Sequence, residues 1–414
     1  MRRNLTVWPK TNPCPARAAA RSAAAQMRDP GFFAPRNQAT GVPGLQRITT
    51  CCAAPGTRAS YSFFGQALGA AVGTIGLLLA TGWGAIAQTA INVSYQPSLY
   101  WALPYYVATE KGWWKEVGLV PAFSVFPAGA PQVAAAQAKS WDVGGTGSVP
   151  ATLGAARSGL ITIGITNDES KANVLMVRGE RFEAMKTNPQ LLKGQRILLT
   201  TNSTGDYAVR NCLKKYSIAF TDVQFVNLGQ AQIISAITSN NGDVAGVWAP
   251  NNYTLEDKAG AKTLCTGADA GAAVPGALIV RAEYAKDNPK NVAAYLAVYL
   301  RSWGWAKANP QEARQMTKKF YAQGGVEISD RAIEQEFALR PVFLLDEQLK
   351  IMNRSGGTSE VDKWFGEIGK FMVEVGTLPQ APDVKAFVTD EYLKMVAADP
   401  KLRAFATEFD KKTN

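Results

Sequence analysis

From Ile91 onward the chain alternates two hydrophobic rhythms. Short runs of β-branched and aromatic residues give way to stretches where apolar positions recur every three or four residues. These are the periods of a strand and of an amphipathic helix. The pattern predicts strands at Ile91–Tyr95, Val120–Phe126, Trp141–Gly145, Ile161–Ile165 and Asn173–Val177, with helices at Ala102–Lys111, Gln132–Lys139 and Val149–Arg157 between them. A second set follows, with strands at Arg196–Thr200, Val223–Asn227, Val244–Trp248 and Lys262–Cys265 and helices at Tyr207–Tyr216 and Ile233–Ser239. A returning strand, Ala277–Val280, comes after the small residues of Gly267–Pro275. This βαβα order builds mainly parallel sheets covered by helices. The last third is helical. Asn288-Pro289 and Asn309-Pro310 each set a capping side chain before proline at the first helical position, and Asn309 to Glu312 has the spacing of a capping box. Val292, Tyr295, Leu296, Tyr299 and Trp303 share one helical face and belong to the core.

Upstream of Ile91 the pattern is different. Residues 1–57 have no apolar period and read as a non-structural extension. Arg58, the uncharged run Phe63–Ala80 and Ala85-Ile86-Ala87 then form the basic, apolar and small-residue regions of a signal peptide over 58–87, cleaved after Ala87. The alternative is an uncleaved membrane anchor, since the uncharged run is long enough to span a bilayer. Charge follows the same division. The 414 residues, a length for two or three domains, carry 44 Lys and Arg against 33 Asp and Glu, but nine of those cations and one acid fall in residues 1–87. The remainder is nearly neutral, so the basic total implies no nucleic-acid partner.

Chemistry is narrowed by what is missing. The chain has no histidine, which removes the Ser-His-Asp triad, the Cys-His pair, most catalytic zinc sites and histidine bases. No metal-ligand cluster, cofactor motif or nucleophile–base pair stands out, so neither a catalytic residue nor a cofactor nor a metal is expected. Export implies an oxidising compartment. Cys212 and Cys265 are the cysteines left after residue 87. Either they pair, or Cys212 is a small buried residue on the face of Ala208 and Tyr216.

Four stretches carry a family resemblance. They are Val93-Ser94-Tyr95-Gln96-Pro97 with Ala102–Ala108 and Glu110–Trp113; Trp141-Asp142-Val143-Gly144-Gly145-Thr146-Gly147-Ser148; Val247-Trp248-Ala249-Pro250; and the helices from Asn288-Pro289 to Pro310. In order and spacing the chain resembles the periplasmic solute-binding proteins of ABC importers, in the taurine, alkanesulfonate, nitrate and thiamine-pyrimidine-precursor group. The resemblance implies a two-lobed class II α/β fold, with 88–180 plus 272–414 as one lobe and 181–271 as the other. The crossings would fall near Arg178–Phe182 and Gly267–Pro275. It also implies a monomer that captures a small anionic or zwitterionic solute in the periplasm and delivers it to a membrane permease. A sulfonate such as taurine leads; nitrate, carboxylate and pyrimidine-type ligands are alternatives, as is an exported receptor serving a signalling partner. Related pyrimidine synthases consume an active-site histidine that this chain lacks.

In open α/β sheets ligands bind beyond the carboxyl ends of strands, where helix N-termini offer N–H groups to an anion. The strand-end loops supply Gln96, Trp101, Gly145, Thr146, Gly147, Ser148, Asn167, Glu169, Ser203, Thr204, Trp248 and Asn251 as candidates. Each has a plainer reading. Ser148 and Thr204 could be helix caps, Gly145 and Gly147 turn residues, and Trp248 part of the core. Glu169 is expected either to meet the ammonium of a zwitterionic ligand or to cap a local turn or pair with Lys171.

Overall fold

The computed structural model describes residues 88–410. The expected extension and signal peptide lie outside the described residues. Ten strands form two five-stranded sheets. The first has the order β2-β1-β3-β10-β4, built from β1 (Thr89–Tyr95), β2 (Leu119–Val125), β3 (Val143–Gly147), β4 (Leu160–Asp168) and β10 (Pro275–Arg281). The second has the order β7-β6-β8-β5-β9, from β5 (Asn173–Val177), β6 (Arg196–Leu199), β7 (Gln224–Asn227), β8 (Val244–Trp248) and β9 (Lys262–Thr266).

In the first sheet β1 runs parallel to β2 and β3, while β10 is antiparallel to both β3 and β4. Strands β1 to β4 therefore share one direction and only β10 opposes them. The second sheet repeats this: β6 is parallel to β7 and β8, and β5 is antiparallel to β8 and β9. In each sheet the opposed strand is the one that arrives by a crossing from the other lobe.

That topology moves one expected boundary. The chain leaves the first sheet at Asp168 and enters the second at Asn173, so the first crossing is 169–172 and not Arg178–Phe182. The apolar run of β5 fits either sheet, and nothing in its own pattern says which it joins. Arg178–Phe182 lies within the second lobe, where the helix Gly179–Thr187 begins. The second crossing occupies 267–274, between β9 and β10.

Helices cover both sheets. Helix Pro289–Ala308 buries Val292, Tyr295, Leu296, Tyr299 and Trp303 along with most of its remaining length. Its cap differs from expectation. The Asn288 and Asn309 side chains cap nothing ahead of them; each donates back, to Tyr284 O at 3.3 Å and Trp305 O at 2.9 Å. Glu312 instead pairs with Lys111 at 3.2 Å. Among the described residues no helix is long and apolar enough to cross a membrane.

Cys212 and Cys265 form a disulfide with Cα atoms 6.1 Å apart. It joins helix Thr204–Lys215 to β9 within the second lobe, and both cysteines are buried in its core with Val209, Leu213 and Ile197. Away from the crossings the lobes touch through an apolar seam, where Tyr207 of the second packs on Phe371 of the first, ring centroids 5.0 Å apart. Arg331 adds ion pairs to Glu256 and Asp257, each at 2.7 Å.

Candidate functional site

Five strand ends point at one place. Past β1 come Gln96 and Ser98, the latter preceding helix Leu99–Glu110. Beyond β2 lies the start of helix Gly129–Gln137, and β3 runs directly into helix Ser148–Ser158 with Gly147 at the cap. From the second lobe β6 leads to helix Thr204–Lys215, while β8 ends on Trp248. Gln96, Trp101, Gly129, Gly147, Pro150, Ser203, Thr204 and Trp248 enclose a cavity of about 10 Å³, room for roughly one water molecule. Four helix N-termini meet at its wall and no Lys or Arg lines it. Unpaired N–H groups and positive dipole ends therefore supply what attraction it has for an anion.

Close approach explains two of the glycines. A Cβ on Gly145 would lie 2.2 Å from Trp101 Cδ1, so only a bare backbone lets the indole lie against β3. A Cβ on Gly147 would lie 2.6 Å from Thr204 Cγ2 on the opposite lobe. Trp248 packs on Gly205 less tightly, its Cε3 3.2 Å from where a Cβ would stand.

A buried amide chain lies beneath this wall. Gln96 Nε2 donates to Gln132 Oε1 at 3.0 Å and to Thr146 Oγ1 at 2.7 Å. Gln132 Nε2 donates to Ser94 Oγ at 2.9 Å and to the Gly145 carbonyl at 3.1 Å. Two donors next to the cavity, Trp101 Nε1 and Ser148 Oγ, are buried without a partner. Ser148 and Thr204 each occupy the first turn of a helix, but neither is its cap. Gly147 holds that position in one helix and Ser203 in the other, where Ser203 Oγ accepts from Asp206 N at 3.1 Å. Burial raises the pKa of Asp206, partly offset by Arg210 at 2.7 Å.

Sequence reasoning missed Gln132, Gly129 and Pro150. Gln132 sits on the apolar face of its helix beside Val133 and Ala136. A glutamine in that register is the one signal that a buried polar partner exists.

Gly145, Thr146 and Ser148 adjoin the cavity without lining it, and three further candidates lie elsewhere. Asn251 opens helix Asn251–Ala259 but does not line the cavity. Asn167 is buried at the end of β4, bridging to Val342, and does not reach it either. Glu169 is closed off from solvent and does not line the cavity. It is buried at the first crossing, 2.7 Å from Arg340 Nη2, and its partner is not Lys171. Arg340 also pairs with Glu336 at 3.0 Å and donates to Ser98 Oγ at 3.1 Å, under the Tyr100 ring. Burial raises the pKa of Glu336, against the pull of Arg340 and Tyr321. Burial also disfavours the Arg340 charge, but the two carboxylates outweigh it and hold the pKa above its usual value. A much larger groove, about 680 Å³, runs between helices Pro289–Ala308, Glu391–Ala398 and Pro400–Ala406. No strand end opens into it, and its lining includes Lys290 and Lys401.

The chain has relatives that can be set beside this geometry. The family model described as "NMT1/THI5 like" matches residues 102–313. A Brucella abortus (strain 2308) protein named as a binding protein is 29% identical over 289 residues, 69% of this chain and 86% of the relative. The taurine-binding periplasmic protein of Escherichia coli (strain K12) is 31% identical over 227 residues, 53% of this chain and 68% of the relative. Among solved structures, the periplasmic aliphatic sulphonate binding protein SsuA from Escherichia coli matches with a TM-score of 0.61 at 19% identity. That match covers 74% of this chain and 100% of SsuA, and it is a likeness of fold.

Proposed function

The chain belongs to the NMT1/THI5-like family, and on that premise we propose that it is a periplasmic solute-binding protein which closes two lobes on a small sulfonate and delivers it to an ABC permease. The observation that carries this reading is the cavity wall, where helix N-termini from both lobes converge beside unpartnered buried donors and no cationic side chain. A tetrahedral oxyanion uses such donors from several sides at once. Relatives named for taurine and aliphatic sulfonates support the same ligand class. Capture without turnover also fits the residue set, because the chain has no histidine and the cysteines of the described residues are joined to each other.

A cavity with room for one water must widen before it takes even a small sulfonate. Two lobes joined by two crossings do this by hinging, and the ligand then shifts the population toward the closed arrangement it prefers. Thermal-shift measurements on chain 88–414 with sulfonates, nitrate, carboxylates and pyrimidines test the reading. A sulfonate at 100 times its dissociation constant should add about 2.7 kcal/mol of stability. Stabilisation by nitrate or a carboxylate, with none by any sulfonate, would reject it.

A further inference from the structure

A backbone carbonyl can only accept a hydrogen bond, and that fact fixes the direction of the amide chain under the cavity. Gln132 must turn its nitrogen toward the Gly145 carbonyl, 3.1 Å away, leaving its oxygen to face Gln96. Gln96 must answer with its own nitrogen, at 3.0 Å, and the second hydrogen of that nitrogen goes to Thr146 Oγ1 at 2.7 Å. Both donors of the Gln96 amide are thus spent inside the protein. Its Oε1 receives no hydrogen bond from any described residue, yet Gln96 lines the cavity. Gln96 therefore offers the cavity an acceptor, in a wall where Trp101 Nε1 is an unpartnered donor, with Ser148 Oγ unpartnered next to the lining residue Gly147 and helix N-termini alongside.

A plain alkyl anion would satisfy those donors and bury the Gln96 oxygen against methylene, stripped of water and unpaired. An anion that also carries an N–H or O–H satisfies both. We propose that Gln96 is the specificity-determining residue of the site, its Oε1 accepting from a donor on the ligand, so that the preferred solute is an aminoalkane- or hydroxyalkanesulfonate. This assigns to Gln96 the donor-reading role that Glu169, locked onto Arg340, does not fill. Gln132 is a positioning residue: it touches no ligand and sets which end of the Gln96 amide faces the cavity. The proposal rests on the sulfonate reading above and refines it.

Three probes of one size test it: 2-aminoethanesulfonate, 2-hydroxyethanesulfonate and ethanesulfonate, titrated calorimetrically into chain 88–414. The first two should bind at least about tenfold more tightly than the third, since a site built to pair a polar group rejects the analogue that lacks it. Gln96→Met should bring the three within about threefold of one another, chiefly by weakening the first two. Gln132→Met should likewise narrow the spread among the three probes, because the Gln96 amide is then no longer held with its oxygen toward the cavity, a selectivity loss that a purely structural role would not produce. Circular dichroism establishes that both variants are folded, and the comparison of ligands in the unaltered protein needs no variant. Equal binding of all three probes overturns the proposal and leaves the sulfonate reading intact. Binding of none overturns both. Selectivity that survives Gln96→Met removes Gln96 from the role.

Discussion

The Thr204 methyl of the second lobe fills the space that a side chain on Gly147 of the first would need, with only 2.6 Å between Thr204 Cγ2 and a Cβ at that glycine. Gly147 has φ −71°, a backbone any residue adopts. The missing side chain therefore serves the approach of the lobes and not the turn. Gly147→Ala should leave each lobe folded while holding them apart, weakening the best sulfonate found by about tenfold or more. Adding Thr204→Ser, which deletes the opposing methyl, should restore most of that loss. Calorimetric titration of both variants decides it; native affinity in Gly147→Ala would mean that the lobes need not meet this closely.

Charge counting orders the variants of the buried cluster. Glu169, Glu336 and Arg340 together set two carboxyl groups against one guanidinium, with almost no exposure. Removing the cation strands two carboxylates. Arg340→Met should therefore cost about 3–5 kcal/mol, the range for breaking a buried pair from one side. Glu169→Gln leaves a balanced Glu336–Arg340 pair and should cost much less, with sulfonate selectivity unchanged. Urea denaturation gives the order; a larger loss in Glu169→Gln would refute the charge argument.

Burial raises the Glu336 pKa above its ordinary 4.5, so the folded protein holds this proton to higher pH than the unfolded chain does. Stability from this source is complete below 4.5 and is lost as pH rises through the raised value. Asp206, also raised by burial, acts in the same direction. Glu336→Gln should therefore gain on the parent protein as pH climbs from 4.5 to neutrality. Unfolding free energies measured across that range check the sign, and a variant that falls behind with rising pH would contradict it.

Ser148 Oγ is buried, unpartnered and not a cap. Ser148→Ala should leave thermal stability unchanged or slightly higher, because it removes a polar atom that finds no hydrogen bond in the fold. The same change should weaken the sulfonate by about 1–3 kcal/mol if the hydroxyl donates to a charged oxygen. Parallel melting and titration separate the two effects; lower stability with unchanged affinity would return Ser148 to a structural part.

What the chain discloses about itself divides by distance. β5 and β8 match the apolar runs at Asn173–Val177 and Val244–Trp248, since a buried strand is written in consecutive residues. The cavity residues Gln96, Gly147, Thr204 and Trp248 were legible because strand ends and helix starts are local features. Glu169 was not legible. Its partner Arg340 lies 171 positions away, and no local pattern distinguishes a carboxylate bound for a ligand from one bound for a distant guanidinium. The amide chain failed for a related reason: Gln132 looks like one polar lapse in an apolar face until the fold brings Gly145 and Gln96 around it.

Strand β10 lies between β3 and β4, which pair with it and not with each other. As the chain emerges from export, β3 and β4 are followed by more than a hundred further residues before that strand appears. Until then both present bare edges, a template for pairing with other chains. The second lobe has no such delay: β5 to β9 and the disulfide lie within 173–266 and can be completed in one pass. Strand order thus lets the lobe encoded in the middle be completed first. The lobe encoded at both ends needs shelter from aggregation until β10 slots in.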